Sequence, residues 1–247
     1  MSAEKRAVGS KLSAVDLSVE LDHDEYRRRL LECQLRLRDL AHELYKAERT
    51  LIVVAEGWDA AGKGGALRRV TEKIDPRGYE VFPIAAPSGE DASHHYLWRF
   101  WRRLKAPIEK QILIFDRSWY GRVLVERVEG FATEAEWKRA YGEINDFERQ
   151  LSEHGAALVK FWFHISSEEQ LRRFEARRAT PHKGWKLTDE DWRNRDKWAE
   201  YEEAVDEMLA KTSTETAPWT LVQGNDKKWA RIRTQEALIA AMTRCLG

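Results

Sequence analysis

Leu51-Ile52-Val53-Val54-Ala55-Glu56-Gly57-Trp58-Asp59-Ala60-Ala61-Gly62-Lys63-Gly64-Gly65 is the stretch that decides the fold. Its first five residues are a short apolar run with three β-branched side chains. A glycine-containing loop follows at once, then a stretch of helical character from about residue 64 to 74, so the order is strand, loop, helix. Within the loop, Gly57 through Lys63 fits G-x-x-x-x-G-K in the context that gives that motif physical meaning. Gly57 and Gly62 allow backbone N–H groups to turn toward a phosphate. The next helix presents its positive end there, and Lys63 supplies a charge for phosphate oxygens. A purely structural turn between strand and helix is the competing reading.

Two departures narrow the motif. A usual phosphate loop carries Ser or Thr after the Lys to bind Mg²⁺, whereas this chain has Gly64 and Gly65. Asp59 sits inside a loop meant for anions, where a bare carboxylate repels phosphate unless it holds a cation or orients a protonated acceptor. Mg²⁺ ligation is therefore expected of Asp59; capping its own turn is the alternative.

Outward from this loop the alternation repeats. Strands are expected at 79–84, 112–115, 157–164 and 219–222, and helices at 24–49, 133–153, 167–178, 188–211 and 227–245, with Thr188 and Asp191 as a capping box. Such ordering predicts a parallel sheet covered on both faces. Residues 1–23 lack periodicity and are expected to be a mobile or loosely docked tail, with 24–247 as a single domain. Ile112-Leu113-Ile114-Phe115-Asp116 is an apolar strand ending in an acid. In a parallel sheet the strand ends share one edge, so Asp116 is expected near the phosphate loop despite the sequence gap. Arg117 and Arg122 read either as phosphate contacts or as partners of surface carboxylates.

The 247 residues carry 42 Lys and Arg against 42 Asp and Glu, so a globally basic nucleic-acid binder is disfavoured. No apolar run reaches the roughly 20 residues that a bilayer requires, and no export signal is apparent. Cys33 and Cys245 are too few for a metal or disulfide framework, which points to reduced thiols in a cytoplasmic protein. Between residues 170 and 186, Arg172, Arg173, Arg177, Arg178, Lys183 and Lys186 face only Glu175, a local excess of five positive charges. That segment reads as a polyanion-binding lid at about 170–190, with Pro181, His182 and Gly184 at its tip, or alternatively as a solvated face. Arg99, Arg102, Arg103 and Lys105 could guide a long anion, although their neighbours Phe100 and Trp101 favour packing. The 11 Trp favour core or oligomer contacts.

Together, Glu56 to Gly65, Phe115 to Tyr120, Glu143 to Glu148 and Lys160 to Ser166 resemble the polyphosphate kinase 2 family of polyphosphate:nucleotide phosphotransferases. The resemblance implies a P-loop kinase-like three-layer α/β/α sandwich with a helical lid, Mg²⁺ dependence, and reversible phosphoryl transfer between polyphosphate and an adenine or guanine nucleotide. By motif position it implies Asp59 and Lys63 as the phosphate-loop pair, Asp116 and Arg117 as the second-motif pair, and Arg173 and Arg177 as lid arginines. Asp59 and Asp116 would hold the metal. Gly57, Gly62, Gly64, Gly65, Arg122, Arg178 and Lys186 would lie along phosphates, and Glu126 near the nucleotide. Gly121 to Glu126 looks more like the AMP-phosphorylating branch than the ADP one. A homo-oligomer with no nucleic-acid or membrane partner is expected. The alternatives are an ATP-dependent kinase on the same scaffold and a non-catalytic polyanion-binding protein.

Overall fold

The computed structural model describes residues 11–106, 109, 111–181 and 188–247. Five parallel strands form one sheet: β1 (Thr50–Gly57), β2 (Tyr79–Pro83), β3 (Ile112–Asp116), β4 (Ala156–His164) and β5 (Trp219–Gln223), in the spatial order β2-β3-β1-β4-β5. β1 is central and buried along almost its whole length, because an uninterrupted apolar run can face helices on both sides. Three helices cover one face: α1 (His23–Lys46), α2 (Lys63–Thr71) and α10 (Lys227–Leu246). The other face carries α5 (Val125–Val128), α6 (Glu134–Glu153) and α9 (Trp198–Thr212). The three-layer α/β/α architecture expected from the alternation is therefore present.

Local signals set the helix ends. The Asp22 carboxylate accepts from the N–H groups of Asp24 and Glu25 at the start of α1, whose buried face, Cys33, Leu37, Leu40 and Leu44, follows helical spacing. Thr133 and Glu136 form a capping box on α6, as do Thr188 and Asp191 on α8 (Asp189–Asp196). α7 (Ser167–Arg178) starts at Ser166, whose hydroxyl accepts from the Glu169 N–H. The remaining helices, α3 (Glu90–Ser93) and α4 (Trp98–Trp101), are single turns in the long β2–β3 connection.

Beneath the C-terminal half of the sheet lies a buried polar cluster. Lys160 Nζ donates to Glu148 Oε2 at 2.7 Å, Tyr120 Oη at 2.8 Å and the Thr212 carbonyl at 2.6 Å. Glu148 Oε1 accepts from Trp119 Nε1 at 3.0 Å and Tyr120 Oη at 2.7 Å. Every donor of the ammonium is satisfied, the condition under which a buried ion pair is tolerated. The cluster fixes the turn that follows Asp116.

One expectation changes. The helix expected over 188–211 is two helices, broken at Lys197 (φ −100°, ψ 30°), because Trp198 turns in to stack on Trp58. Of the stretch expected as a mobile or loosely docked tail, the described part touches the domain: Leu12 is buried, and its N–H donates to Asp206 Oδ1 at 3.2 Å. No described helix is long and apolar enough to cross a membrane.

Candidate phosphoryl-transfer site

The site forms at the carboxyl edge of the sheet, where β1 ends in the phosphate loop, β3 in Asp116 and β4 in His164. Register places Asp116 beside Ala55 of β1. Gly57 has no room for a side chain: a Cβ there would stand 2.5 Å from the Phe163 carbonyl oxygen of β4. Gly62 takes φ +104° to start α2 without a side-chain cap, leaving that helix's first N–H groups open. Ala60 and Arg117 also hold positive φ, at 62° and 63°. Such non-glycine conformations cost about 1–3 kcal/mol each and gather at functional loops.

Lys63 Nζ donates to the carbonyls of Gly57 at 2.5 Å and Trp58 at 3.1 Å. An ammonium has three donors, and among the described residues the third N–H has no acceptor. Burial pulls the Lys63 pKa below the usual lysine value, and the negative charge of Asp59, Asp116 and Glu56 opposes that pull. Glu56 is itself buried, and accepts from the Ser118 hydroxyl at 2.7 Å. Burial raises its pKa, with the Ser118 bond opposing.

Asp59 is the hub of the loop. Its Oδ1 accepts from Arg117 Nη2 at 3.2 Å and its Oδ2 from Asn194 Nδ2 at 2.9 Å, while Gln170 Nε2 donates to its carbonyl at 3.2 Å. Arg117 also lies 3.8 Å from Glu190. Tyr201 Oη donates to Asn194 Oδ1 at 3.0 Å, so α7, α8 and α9 all converge on Asp59. The Trp58 indole stacks on Trp198 (centroids 3.8 Å apart, planes 10° apart) and donates to His164 Nδ1 at 3.0 Å. Burial lowers the His164 pKa to about 4, so this acceptor nitrogen stays unprotonated near neutrality.

Two pockets border the loop. The first, about 80 Å³, meets Glu56 to Asp59, Arg117, Leu124, Val125, Trp162, Glu190, Asn194 and Tyr201. The buried Trp162 Nε1–H that lines it has no partner among the described residues. The second, about 190 Å³, is lined by Ala60, Gly62, Arg172, Arg173, Arg177 and Lys227, without a carboxylate.

The arginines expected in a lid are placed unequally. Arg177 borders the second pocket. Arg173 also borders it, but its buried guanidinium is turned to the protein, donating to Glu169 at 2.5 Å and to the carbonyls of Ala60 at 2.9 Å, Gly224 at 2.6 Å and Asn225 at 2.9 Å. It ties α7 to the phosphate loop and to the end of β5. Arg178 is exposed and lines neither pocket. Arg122 pairs with Glu126 at 3.1 Å and lies over the Tyr96 ring, so these two residues engage each other. Lys186 and the expected lid tip at His182 and Gly184 lie outside the described residues. Gln170, Glu190, Asn194, Tyr201 and Lys227 join the site without any motif to announce them, and Glu56, though inside the loop segment, has no role in its motif.

Among the described residues, no group of three or more His, Cys, Asp or Glu is arranged to hold a metal. Asp59 in the loop after β1 and Asp116 at the end of β3 both act on the Lys63 charge, and such a pair of carboxylates suits a hard cation that draws its other ligands from phosphate and water, as Mg²⁺ does.

A family model for polyphosphate kinase 2 matches residues 20–245. The chain is 55% identical to a Pseudomonas aeruginosa polyphosphate:AMP phosphotransferase over 90% of its own length and 44% of that protein's. It is 40% identical to a Ruegeria pomeroyi NDP-polyphosphate phosphotransferase over 89% of its length and 72% of the relative's. The chain thus spans about half the length of the polyphosphate:AMP phosphotransferases it matches. A crystal structure of polyphosphate kinase 2 from Arthrobacter aurescens TC1 superposes with a TM-score of 0.90 at 35% identity, covering 96% of this chain and 86% of that one.

Proposed function

The chain belongs to the polyphosphate kinase 2 family, and from that premise we propose that it transfers the terminal phosphoryl group of inorganic polyphosphate to AMP, reversibly and with Mg²⁺. The observation that carries this reading is the pairing of a phosphate-loop lysine with two unlike pockets, one cationic and one aromatic and acidic, on the two halves of the same loop. Greater identity to a relative named for AMP, 55%, than to one named for NDP, 40%, supports AMP as the acceptor.

In this reading a phosphate oxygen of AMP attacks the terminal phosphorus in line. The new P–O bond forms as the bridging bond to the penultimate phosphate breaks, and the electron pair stays on the bridging oxygen, which becomes the new chain end. ADP and a chain one phosphate shorter result. The attacking oxygen is already anionic, because the second phosphate pKa is about 6, so no strong general base is needed. Catalysis rests on alignment and charge neutralisation. Lys63 and the open N–H groups of α2 hold the transferring phosphoryl group, Arg117 and Arg177 neutralise its flanks, and the Trp58 stack keeps the loop in place. Asp59 and Asp116 would hold Mg²⁺, which supplies charge neutralisation on the phosphate oxygens.

The test is purified protein with Mg²⁺ and long-chain polyphosphate, given AMP or ADP separately, with products resolved by chromatography. ADP formed from AMP faster than ATP from ADP is expected. The reverse order would move the protein to ADP phosphorylation, and no product from either would remove the reading.

A further inference from the structure

The second pocket contains a residue that no motif explains. Lys227 opens α10, which reaches the phosphate loop from the end of β5, and it lines the pocket with Gly62, Arg172, Arg173 and Arg177. The charges that act on it are Arg173, Arg172 and Arg231, against Glu169. Glu169, however, is already engaged by both Arg172, at 2.6 and 2.7 Å, and Arg173. Lys227 is exposed, and among the described residues it has no hydrogen-bond or ion-pair partner, so its ammonium is open to an anion in the pocket.

A second observation lies on α2. Gly64 and Gly65 do not have positive φ; a Cβ on Gly64 would meet nothing within 4 Å, and one on Gly65 only Arg231 Nη2 at 3.9 Å. Neither backbone conformation nor packing within the described chain requires glycine there. The bare turn leaves open space over the uncapped start of α2, and that space is bordered by Arg231, which stands one helical turn beyond Lys227 on α10.

We infer that the polyphosphate donor leaves Lys63 across the bare Gly64–Gly65 turn and passes between α7 and α10, where Lys227 and Arg231 hold phosphates behind the reacting one. α10 then makes the enzyme selective for long chains, since a short oligophosphate ends before it reaches these two cations. The inference rests on polyphosphate being the donor, but its test does not need turnover.

Long-chain polyphosphate and tripolyphosphate are titrated calorimetrically, without nucleotide, into the wild type, Lys227→Ala, Arg231→Gln and Lys228→Ala. Lys228 is the neighbouring lysine outside the pocket. Lys227→Ala is expected to weaken long-chain binding about tenfold and to lessen its salt dependence, as the loss of one phosphate contact does. Tripolyphosphate affinity should move far less, and Lys228→Ala should follow the wild type. Unchanged long-chain affinity in Lys227→Ala, an equal loss in Lys228→Ala, or an equal loss for both ligands would each overturn the inference. Wild-type protein that binds long chains through Lys227 but transfers nothing would sustain it while removing the proposed activity.

Discussion

The two pockets beside the phosphate loop share no lining residue, and they differ in charge and in what holds them. The Trp58 side carries Glu56, Asp59 and Glu190 against Arg117, among Trp162, Tyr201, Leu124 and Val125. The Arg173 side carries Arg172, Arg173, Arg177 and Lys227. The first is anchored from below, through Glu56–Ser118 and the Glu148–Lys160–Tyr120 cluster. The second is anchored from above, by the Arg173 guanidinium on three backbone carbonyls. A polyanion needs concentrated positive charge along its length, whereas a nucleoside monophosphate brings one phosphate, a sugar and a flat base. Under the proposed function, this division of charge would set donor and acceptor on opposite halves of the loop.

The largest effect is expected where the halves meet. Lys63→Ala and Asp116→Asn should each reduce turnover by about 10³-fold or more, as loss of preorganised charge stabilisation at a reacting phosphate does, with thermal unfolding little changed. Near-wild-type turnover in either variant would strike that residue from the mechanism.

Next in size is the anchor of the acceptor half. Lys160→Met leaves the Glu148 carboxylate buried without its cation and should cost about 3–5 kcal/mol in urea unfolding. Adding Glu148→Leu should recover part of the loss. A single variant as stable as the wild type would mean that the cluster does not secure the turn after Asp116.

His164 gives a smaller, pH-dependent effect. Its pKa is lowered by burial from 6.5 to about 4, so as pH falls through this window the unfolded chain takes up a proton that the folded chain refuses. Stability present above pH 6.5 is lost toward pH 4, by about 3 kcal/mol in total. His164→Asn keeps an acceptor for the Trp58 N–H but cannot titrate, so the fall in its urea midpoint between about pH 7 and about pH 5 should be shallower than that of the wild type. Parallel curves for the two proteins would exclude His164 as the group responsible.

Much of this was legible in the sequence, for reasons that differ by element. The sheet could be read because β1, β3 and β4 are apolar runs between glycine-rich or charged segments, and the loop because close packing and positive φ require Gly57 and Gly62 while Lys63 follows at the spacing of the motif. The break at Lys197 was hidden, since the helical pattern runs through it and only the Trp58–Trp198 stack forces the turn. Asn194, Tyr201, Gln170 and Lys227 could not be found, because ordinary polar residues on helices join a site only when tertiary packing brings them to it. Charge counting singled out the arginine-rich segment but could not tell Arg177 from Arg173, which borders the same pocket with its donors turned to Glu169 and backbone carbonyls.

The division of labour between the halves is tested most directly by crossed kinetics, with Arg177→Ala on the cationic side and Asn194→Ala on the acceptor side. Arg177→Ala is expected to raise KM for polyphosphate about tenfold while KM for AMP moves little, and Asn194→Ala to do the reverse. If both variants shift the same KM, or if each shifts the other's, donor and acceptor are not divided between the two halves of the loop.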